Sequence, residues 1–475
     1  MSHCRKLLPL LFIVLFAFAA SPARGDSLDE HRLIRVEIRT QRELLTMTGI
    51  GATPWNCRVG LGMQDFSVSP EQFEAVRRVG IRHNVLADNV QRLIDDEREA
   101  NERARAEGGI AGGNWFAAYR TWSEVNDYID ELVALRPDLA TKLVLGQTHE
   151  NRTIYGIRIT SPNGDNKPAV LFNGCQHARE WISVMVPMFI ADRLVREYET
   201  VAAIRDLVDH VEFLIVPIVN PDGYEFTYAP GGNRLWRKNR RWNGGSTYGV
   251  DLNRNWDADW GGPHSTSTLP SSLLYIGPYV FSEPEVQAMR DFILARPNIV
   301  AHIDFHSYGQ LILHPLGFTS DPVPDAPTLI GLGNQMKDAI FAVHGKNYPV
   351  GIPGALLYFA SGLFPDWGYL ARGIMGYTVE LRPIGNPGFI LPPEEIIPTS
   401  EEAFEAAMQM AMWASLQIGC PADLNDDGTV DVLDLLAVLS AWGPCVSCAT
   451  DINRDGIVDV LDLLALLSAW GPCAD

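Results

Sequence analysis

Hydrophobic and polar positions change their period several times along the chain. Near the start, Leu33-Ile34-Arg35-Val36-Glu37-Ile38 alternates residue by residue, which predicts a half-buried strand. Pro70-Glu71-Gln72-Phe73-Glu74-Ala75-Val76 places its apolar residues at helical spacing instead. WSEVNDYIDELVAL (122–135) is an amphipathic helix by the same test. Four near-continuous apolar runs, PAVLFNG, VEFLIVPIV, IVAHIDFHSYG and GYTVELR, read as buried strands. Long helical stretches separate them, and EEAFEAAMQMAMWASLQIG (401–419) is the last. Strands alternating with helices over some 300 residues predict an α/β domain, its mixed, mostly parallel sheet flanked by helices. In such sheets functional residues gather at the strand ends.

Both ends of the chain depart from this pattern. Arg5 and Lys6 precede an apolar run over residues 7–20 and then small residues, the form of a secretory signal ending near residue 25. No later stretch is long and apolar enough to predict a membrane span. The expected location is therefore outside the cell, with periplasm and cell surface both open, in a compartment that permits disulfides. Residues 26–107 read as a small α/β unit. DDEREANERARAEGGIAGG (95–113) is a charged helical run ending in glycines and predicts an exposed linker, where Arg103 and Arg105 suit a trypsin-like protease. The main domain is expected over 108–419 and a small module over 420–475.

The formal charge of −20 changes the picture by exclusion, since a binder of nucleic acid needs a basic face. Much of that charge is local: from Cys420 onward there are ten Asp, no Glu and one Arg. The same region holds four of the chain's 7 cysteines, which predicts a stapled small module. Cys57 and Cys175 are expected as two separate buried thiols.

The candidate chemistry begins at GCQHAREWIS (174–183), where His177 and Glu180 stand three apart after a predicted strand. With 11 histidines in the chain, one such pair is weak on its own. Catalytic zinc takes three protein ligands and leaves a position open, so a third ligand must come from elsewhere. The strand AHIDFHSYGQ offers His302 and His306.

QHAREWIS, NPDGYEFT, NRLWRKNR, DLNRNWD, HSYGQLILHP, LYFASG and YTVELR follow one another in the order and at about the spacing of the secreted zinc carboxypeptidases, which nearly all of residues 115–418 resemble. The resemblance implies one catalytic Zn²⁺ held by His177, Glu180 and His306, with His302 structural. It implies Glu380 as the catalytic carboxylate and Arg237 as the arginine that stabilises the oxyanion. Arg179, Asn253, Arg254 and Tyr358 match the family's substrate-binding residues, the last three around a free terminal carboxylate. Asp251 matches the carboxylate that orients His177. The side-chain pocket maps to Leu313, Gly317, Pro353, Leu357, Ala360, Pro365 and Thr378. No carboxylate stands among them, so apolar or aromatic C-terminal residues are expected. Residues 27–107 resemble, more loosely, the family's activation segment, which covers the site until the linker is cut.

After the catalytic region the chain repeats itself at a period of 28, CPADLNDDGTVDVLDLLAVLSAWGPC and CATDINRDGIVDVLDLLALLSAWGPC. Each repeat opens D-x-N-x-D-G-x-V-D-x-x-D, which supplies the six to eight oxygens that Ca²⁺ takes. One ion is expected at Asp423, Asn425, Asp427, Asp431, Asp434 and the Thr429 carbonyl. A second is expected at Asp451, Asn453, Asp455, Asp459, Asp462 and the Ile457 carbonyl. Asp at the twelfth position and the helices that follow resemble the dockerin module, an all-α EF-hand-like pair whose partners are cohesin domains. Cysteines flanking each repeat suggest bridges Cys420–Cys445 and Cys448–Cys473, although four cysteines allow three pairings. An attachment role without a cohesin partner is the alternative.

The expected activity is release of single C-terminal residues from peptides or proteins with a free C-terminus. A silent binding protein on a peptidase scaffold would have lost Glu380 or a ligand. A zinc amidase or endopeptidase acting on cell-wall peptides would lack Arg254 and Tyr358. All of these residues are present.

Overall fold

A computed structural model describes residues 28, 30–55, 61–108, 114–162, 167–385, 387–417, 422–425, 427–445, 448–452 and 457–473. The expected signal, Cys57 and Cys420 lie outside the described residues.

Eight strands form the main sheet, in the order Val350–Gly351, Leu311–Leu313, Met375–Leu381, Ile299–Ser307, Ala169–Gly174, Glu212–Val216, Thr153–Ile159 and Ala140–Gln147. The four central ones, from Met375–Leu381 to Glu212–Val216, run parallel. Antiparallel strands finish one side, and an antiparallel step joins Leu311–Leu313 on the other. Ala169–Gly174 is buried at every position, which explains why its sequence is continuously apolar rather than alternating. Helices Ile182–Glu197 and Ile396–Ala414 share a core with one face of this sheet, where Phe172, Phe305, Leu194 and Phe404 are all buried. Trp256, Phe364 and Trp367 pack with Leu171 and Leu214 in a second core on the other face.

Before this domain lies a four-stranded antiparallel sheet built on Arg32–Ile38, with helices Gln41–Ile50 and Pro70–Arg78. The charged stretch is helical, as expected, as far as Gly108, in Val90–Gly108. Its heptad-like spacing buries Glu97 and Asn101 on one side, so the run is packed along one face rather than the exposed linker expected. Arg105 is tied down by the Tyr119 carbonyl and, at 2.8 Å, by Glu124, whereas Arg103 is 66% exposed. The glycines that follow, residues 109–113, lie outside the described residues.

At the C-terminus, helices Val432–Ser440 and Val460–Ser468 are each capped by an aspartate, Asp431 or Asp459, in a capping box with Asp434 or Asp462. The module is not purely helical. Thr429–Val430 pairs with Gly471–Pro472, and Gly443–Pro444 with Ile457–Val458, so each repeat closes the other. Cys445 is bonded to Cys448, which overturns both expected pairings, Cys420 with Cys445 and Cys448 with Cys473. The short ladders bring the end of the first repeat against the start of the second, so the linker cysteines meet. Cys473 is itself disulfide-bonded. Cys175 is a buried free thiol, as expected.

Candidate metal centre and substrate pocket

The centre forms where the parallel strands end. Gly174 closes Ala169–Gly174, and a Cβ there would stand 1.9 Å from the Ser183 carbonyl oxygen, so only glycine allows the next helix to pack this close. Cys175 then takes a left-handed backbone, φ 57°, and the chain turns sharply to present residues 176–180. His306 and Glu380 arrive in register on neighbouring parallel strands.

Three side chains from distant segments converge here. His177 Nδ1 is 2.9 Å from Glu180 Oε1, His306 Nδ1 is 2.9 Å from Glu180 Oε2, and the two Nδ1 atoms are 3.0 Å apart. The far nitrogens are held by carboxylates: His177 Nε2 meets Asp251 Oδ1 at 3.1 Å, and His306 Nε2 meets Asp304 Oδ2 at 2.8 Å. Two Nδ1 atoms and a carboxylate, each imidazole oriented from behind, are a donor set that fits catalytic zinc. Burial opposes ionisation of Glu180, yet the His177 and His306 charges outweigh it and hold the carboxyl well below its usual range. Burial and Arg237 pull His177 down, whereas Asp304 and Glu180 outweigh burial at His306 and hold it well above its usual range.

Asp304 was not anticipated from the sequence. It sits two residues before His306 on the same strand face, and Asn173 Nδ2 and Gln176 Nε2 both donate to it at 2.6 Å. The i, i+2 spacing of Asp304 and His306 was the available signal. His302, another two back, has no hydrogen bond to either ring nitrogen. It stacks on Phe364 at 4.5 Å, fills the space that a Gly376 side chain would take and stands apart from the metal-ligand cluster.

A pocket opens beside the cluster, lined by Arg237, Asn253, Arg254, Leu313, Pro353, Leu357, Tyr358, Ala360, Leu363, Thr378 and Glu380 together with His177 and His306. Of the expected pocket positions, Gly317 and Pro365 do not line it. Leu363 does so instead, its Cδ1 2.5 Å from where a Gly317 side chain would begin. Glu380 is buried, its Oε2 accepts no hydrogen bond, and burial pushes it up to about 8 against the pull of His306. Asp251 Oδ2 accepts from Arg237 Nε at 3.1 Å and Nη2 at 2.9 Å, fixing that guanidinium at the pocket.

Arg254 donates to the Ser265 and Asn253 carbonyls, but its buried Nη2 meets no acceptor. Asn253 is more committed than its expected role requires, because its Oδ1 accepts from Phe364 N at 2.9 Å. Arg179 lies apart from the pocket lining. Its guanidinium sits 4.0 Å from the Phe389 ring centroid, and Nη2 donates to the Trp55 carbonyl at 3.4 Å, so the N-terminal unit covers it. In the C-terminal module the Asp427 and Gly428 amides donate to Asp423, and the Asp427 amide also to Asn425. Asp434 is fully buried and ties Leu424 to Asp431. Asp462 bonds the Asp459 amide in the same way, while Asn453 and Asp455 lie outside the described residues.

Known proteins resemble this chain in sequence and fold. Residues 125–406 match the sequence profile described as zinc carboxypeptidase. Carboxypeptidase A1 of Mus musculus is 32% identical over 410 residues, 83% of this chain and 96% of the relative. Carboxypeptidase A1 of Homo sapiens is 36% identical over 331 residues, 69% of this chain and 78% of the relative. Among solved structures, carboxypeptidase A from Helicoverpa armigera is 28% identical with a TM-score of 0.74, covering 83% of this chain and 99% of that one. No helix among the described residues is long and apolar enough to cross a membrane. The chain belongs to the zinc carboxypeptidase family and is a metallocarboxypeptidase with the α/β fold of that family.

Proposed function

We propose that this metallocarboxypeptidase acts outside the cell on peptides with a free C-terminus and prefers an apolar or aromatic last residue. The observation that carries this reading is the buried Arg254 Nη2, which faces no acceptor in a pocket otherwise walled by Leu313, Pro353, Leu357, Ala360 and Leu363. A terminal carboxylate is the ligand that satisfies such a group, and the walls suit an apolar side chain. Tyr358 on the same lining offers a phenol to that carboxylate.

His177, Glu180 and His306 would hold zinc, which when bound would supply Lewis acidity to a water and to the scissile carbonyl. Glu380 takes the proton of the attacking water and returns it to the leaving amine. Arg237, clamped by Asp251, stabilises the oxyanion. His177, Glu180, His306, Glu380 and Arg237 are all buried, which strengthens the electrostatic interactions among them.

Two further parts of the reading concern the ends of the chain. The N-terminal unit acts as a shield over the cleft. Glu97 is bonded to Arg234 Nε and Nη2 at 2.7 and 2.8 Å with both side chains buried, and Trp55 packs with Phe389 over Arg179. The C-terminal module binds two Ca²⁺ and docks the enzyme to a partner, cohesin-like or on a cell surface. Val432, Leu433, Leu436, Leu439 and Trp442 are 48% to 56% exposed, and the equivalent residues of the second repeat repeat the stripe. Two matched apolar stripes of this kind suit an interface.

The test is hydrolysis of blocked dipeptides ending in Phe, Leu, Arg or Glu, and of the Phe amide, before and after limited trypsin. Chelator-sensitive release of Phe and Leu that rises after trypsin and fails on the amide supports the reading. Equal cleavage of acid and amide overturns it.

A further inference from the structure

Outside the cleft stands a second group of ligand-type side chains. His149 Nε2 lies 2.9 Å from Glu283 Oε2, and one donor atom from each of His149, Glu283 and Glu285 falls within 4.8 Å of the others. Both glutamates are fully buried, while the His149 side chain is 28% exposed and gives the group an opening to solvent.

The two carboxylates differ in how they are satisfied. Glu283 Oε2 accepts from His149 and, at 2.7 Å, from Asn239 Nδ2, and its Oε1 accepts from Ser282 Oγ at 2.5 Å and Arg241 Nη1 at 3.3 Å. Glu285 Oε2 shares the Asn239 amide at 3.1 Å, and its buried Oε1 has no donor at all. An ion pair with Arg241 accounts for Glu283. It leaves Glu285 unexplained, because a second buried carboxylate beside the first, with one oxygen unmet, is costly. The catalytic cluster offers an internal standard, since there too a histidine nitrogen stands 2.9 Å from a glutamate oxygen at a site built for a metal.

We propose that His149, Glu283 and Glu285 bind a second divalent transition-metal ion of the zinc class. One imidazole and two carboxylates form a borderline donor set that selects such an ion over the purely oxygen-loving cations. The ion ties the turn at residues 148–152 to the start of helix Pro284–Leu294. Asn239 carries the tie inward, because its Oδ1 accepts from the Val250 amide at 2.8 Å, next to Asp251. The role is that of a bolt behind the segment bearing Arg237, and these three residues touch no substrate.

The test uses the full chain, saturated with Ca²⁺ and equilibrated with graded Zn²⁺. Zinc per chain is measured by mass spectrometry, and crystals are examined on both sides of the zinc absorption edge. The expected result is two zinc ions per chain, with an anomalous peak among these three side chains. Glu285→Gln and His149→Gln then retain one zinc and peptidase activity and lose the zinc-dependent rise in melting temperature beyond the first equivalent. His149→Gln, at the solvent opening, keeps the test valid should Glu285→Gln fail to fold. One zinc per chain in the unmodified protein overturns the proposal. So does a second zinc that survives both substitutions and disappears in Glu380→Gln, which places it in the cleft.

Discussion

The catalytic cluster and the C-terminal loops both carry residue types that can ligate a metal, but they are held together differently. His177, Glu180 and His306 come from segments up to 129 residues apart and are fixed by a buried sheet, with Asp251 and Asp304 gripping the rings from behind. The first acidic loop spans 12 residues and is organised by its own aspartates bonding its own backbone. At the sheet, the fold makes the site and the metal adds chemistry. At the loops, the proposed Ca²⁺ has to offset crowded carboxylates in a module with a small core of Ala422, Val430, Val438, Ile452, Val458 and Leu466.

Metal removal should separate the two most sharply. A calcium chelator is expected to unfold residues 420–475, seen as new proteolytic cuts confined to that region, with peptidase activity unchanged. A zinc-selective chelator should abolish activity while the catalytic domain stays folded by circular dichroism. Exchanging these outcomes breaks the comparison.

Glu380→Gln sharpens it on the catalytic side. The substitution should lower kcat by about 10²–10⁴-fold with zinc content retained, since Glu380 moves protons and is not a ligand. Next in size, Asp304→Asn should weaken zinc binding by roughly 10–100-fold, measured by competition with a chromophoric chelator. An unchanged affinity would mean that the sheet alone orients His306.

A separate effect concerns stability against pH. Burial raises Asp366 to about 7, with the Gly317 amide donating to its Oδ2 at 2.8 Å as a partial offset. A carboxyl that holds its proton more tightly when folded stabilises the fold below its ordinary pKa, near 4. That contribution is lost as pH rises towards 7. Asp366→Asn should therefore gain stability relative to the unmodified protein between pH 4 and 8, on the order of 2–4 kcal/mol, measured by denaturant melts.

The sequence was legible where chemistry and periodicity are local. Helix Trp122–Leu135 and strand Ala169–Gly174 stand where the apolar patterns put them. The ordered motifs brought His177, Glu180, His306, Arg237, Arg254 and Glu380 into one place. What escaped depends on packing across segments. Asp304 orients a ring from a strand position that reads as core. Leu363 replaces Gly317 and Pro365 in the pocket because side-chain direction, not motif position, decides what faces the substrate. The helix Val90–Gly108 reads as an exposed helical run, and its packing shows only where Glu97 meets Arg234, 137 residues away.

The most direct measurement is a time course by mass spectrometry on a ten-residue peptide ending Ala-Leu-Phe, incubated with the trypsin-treated enzyme and, in parallel, with Arg254→Ala. The account predicts a ladder shortened one residue at a time from the C-terminus, at a rate roughly 10–100-fold lower in the variant, as expected for loss of a charge-assisted contact. Internal cuts, or a ladder whose rate is indifferent to Arg254, would contradict it.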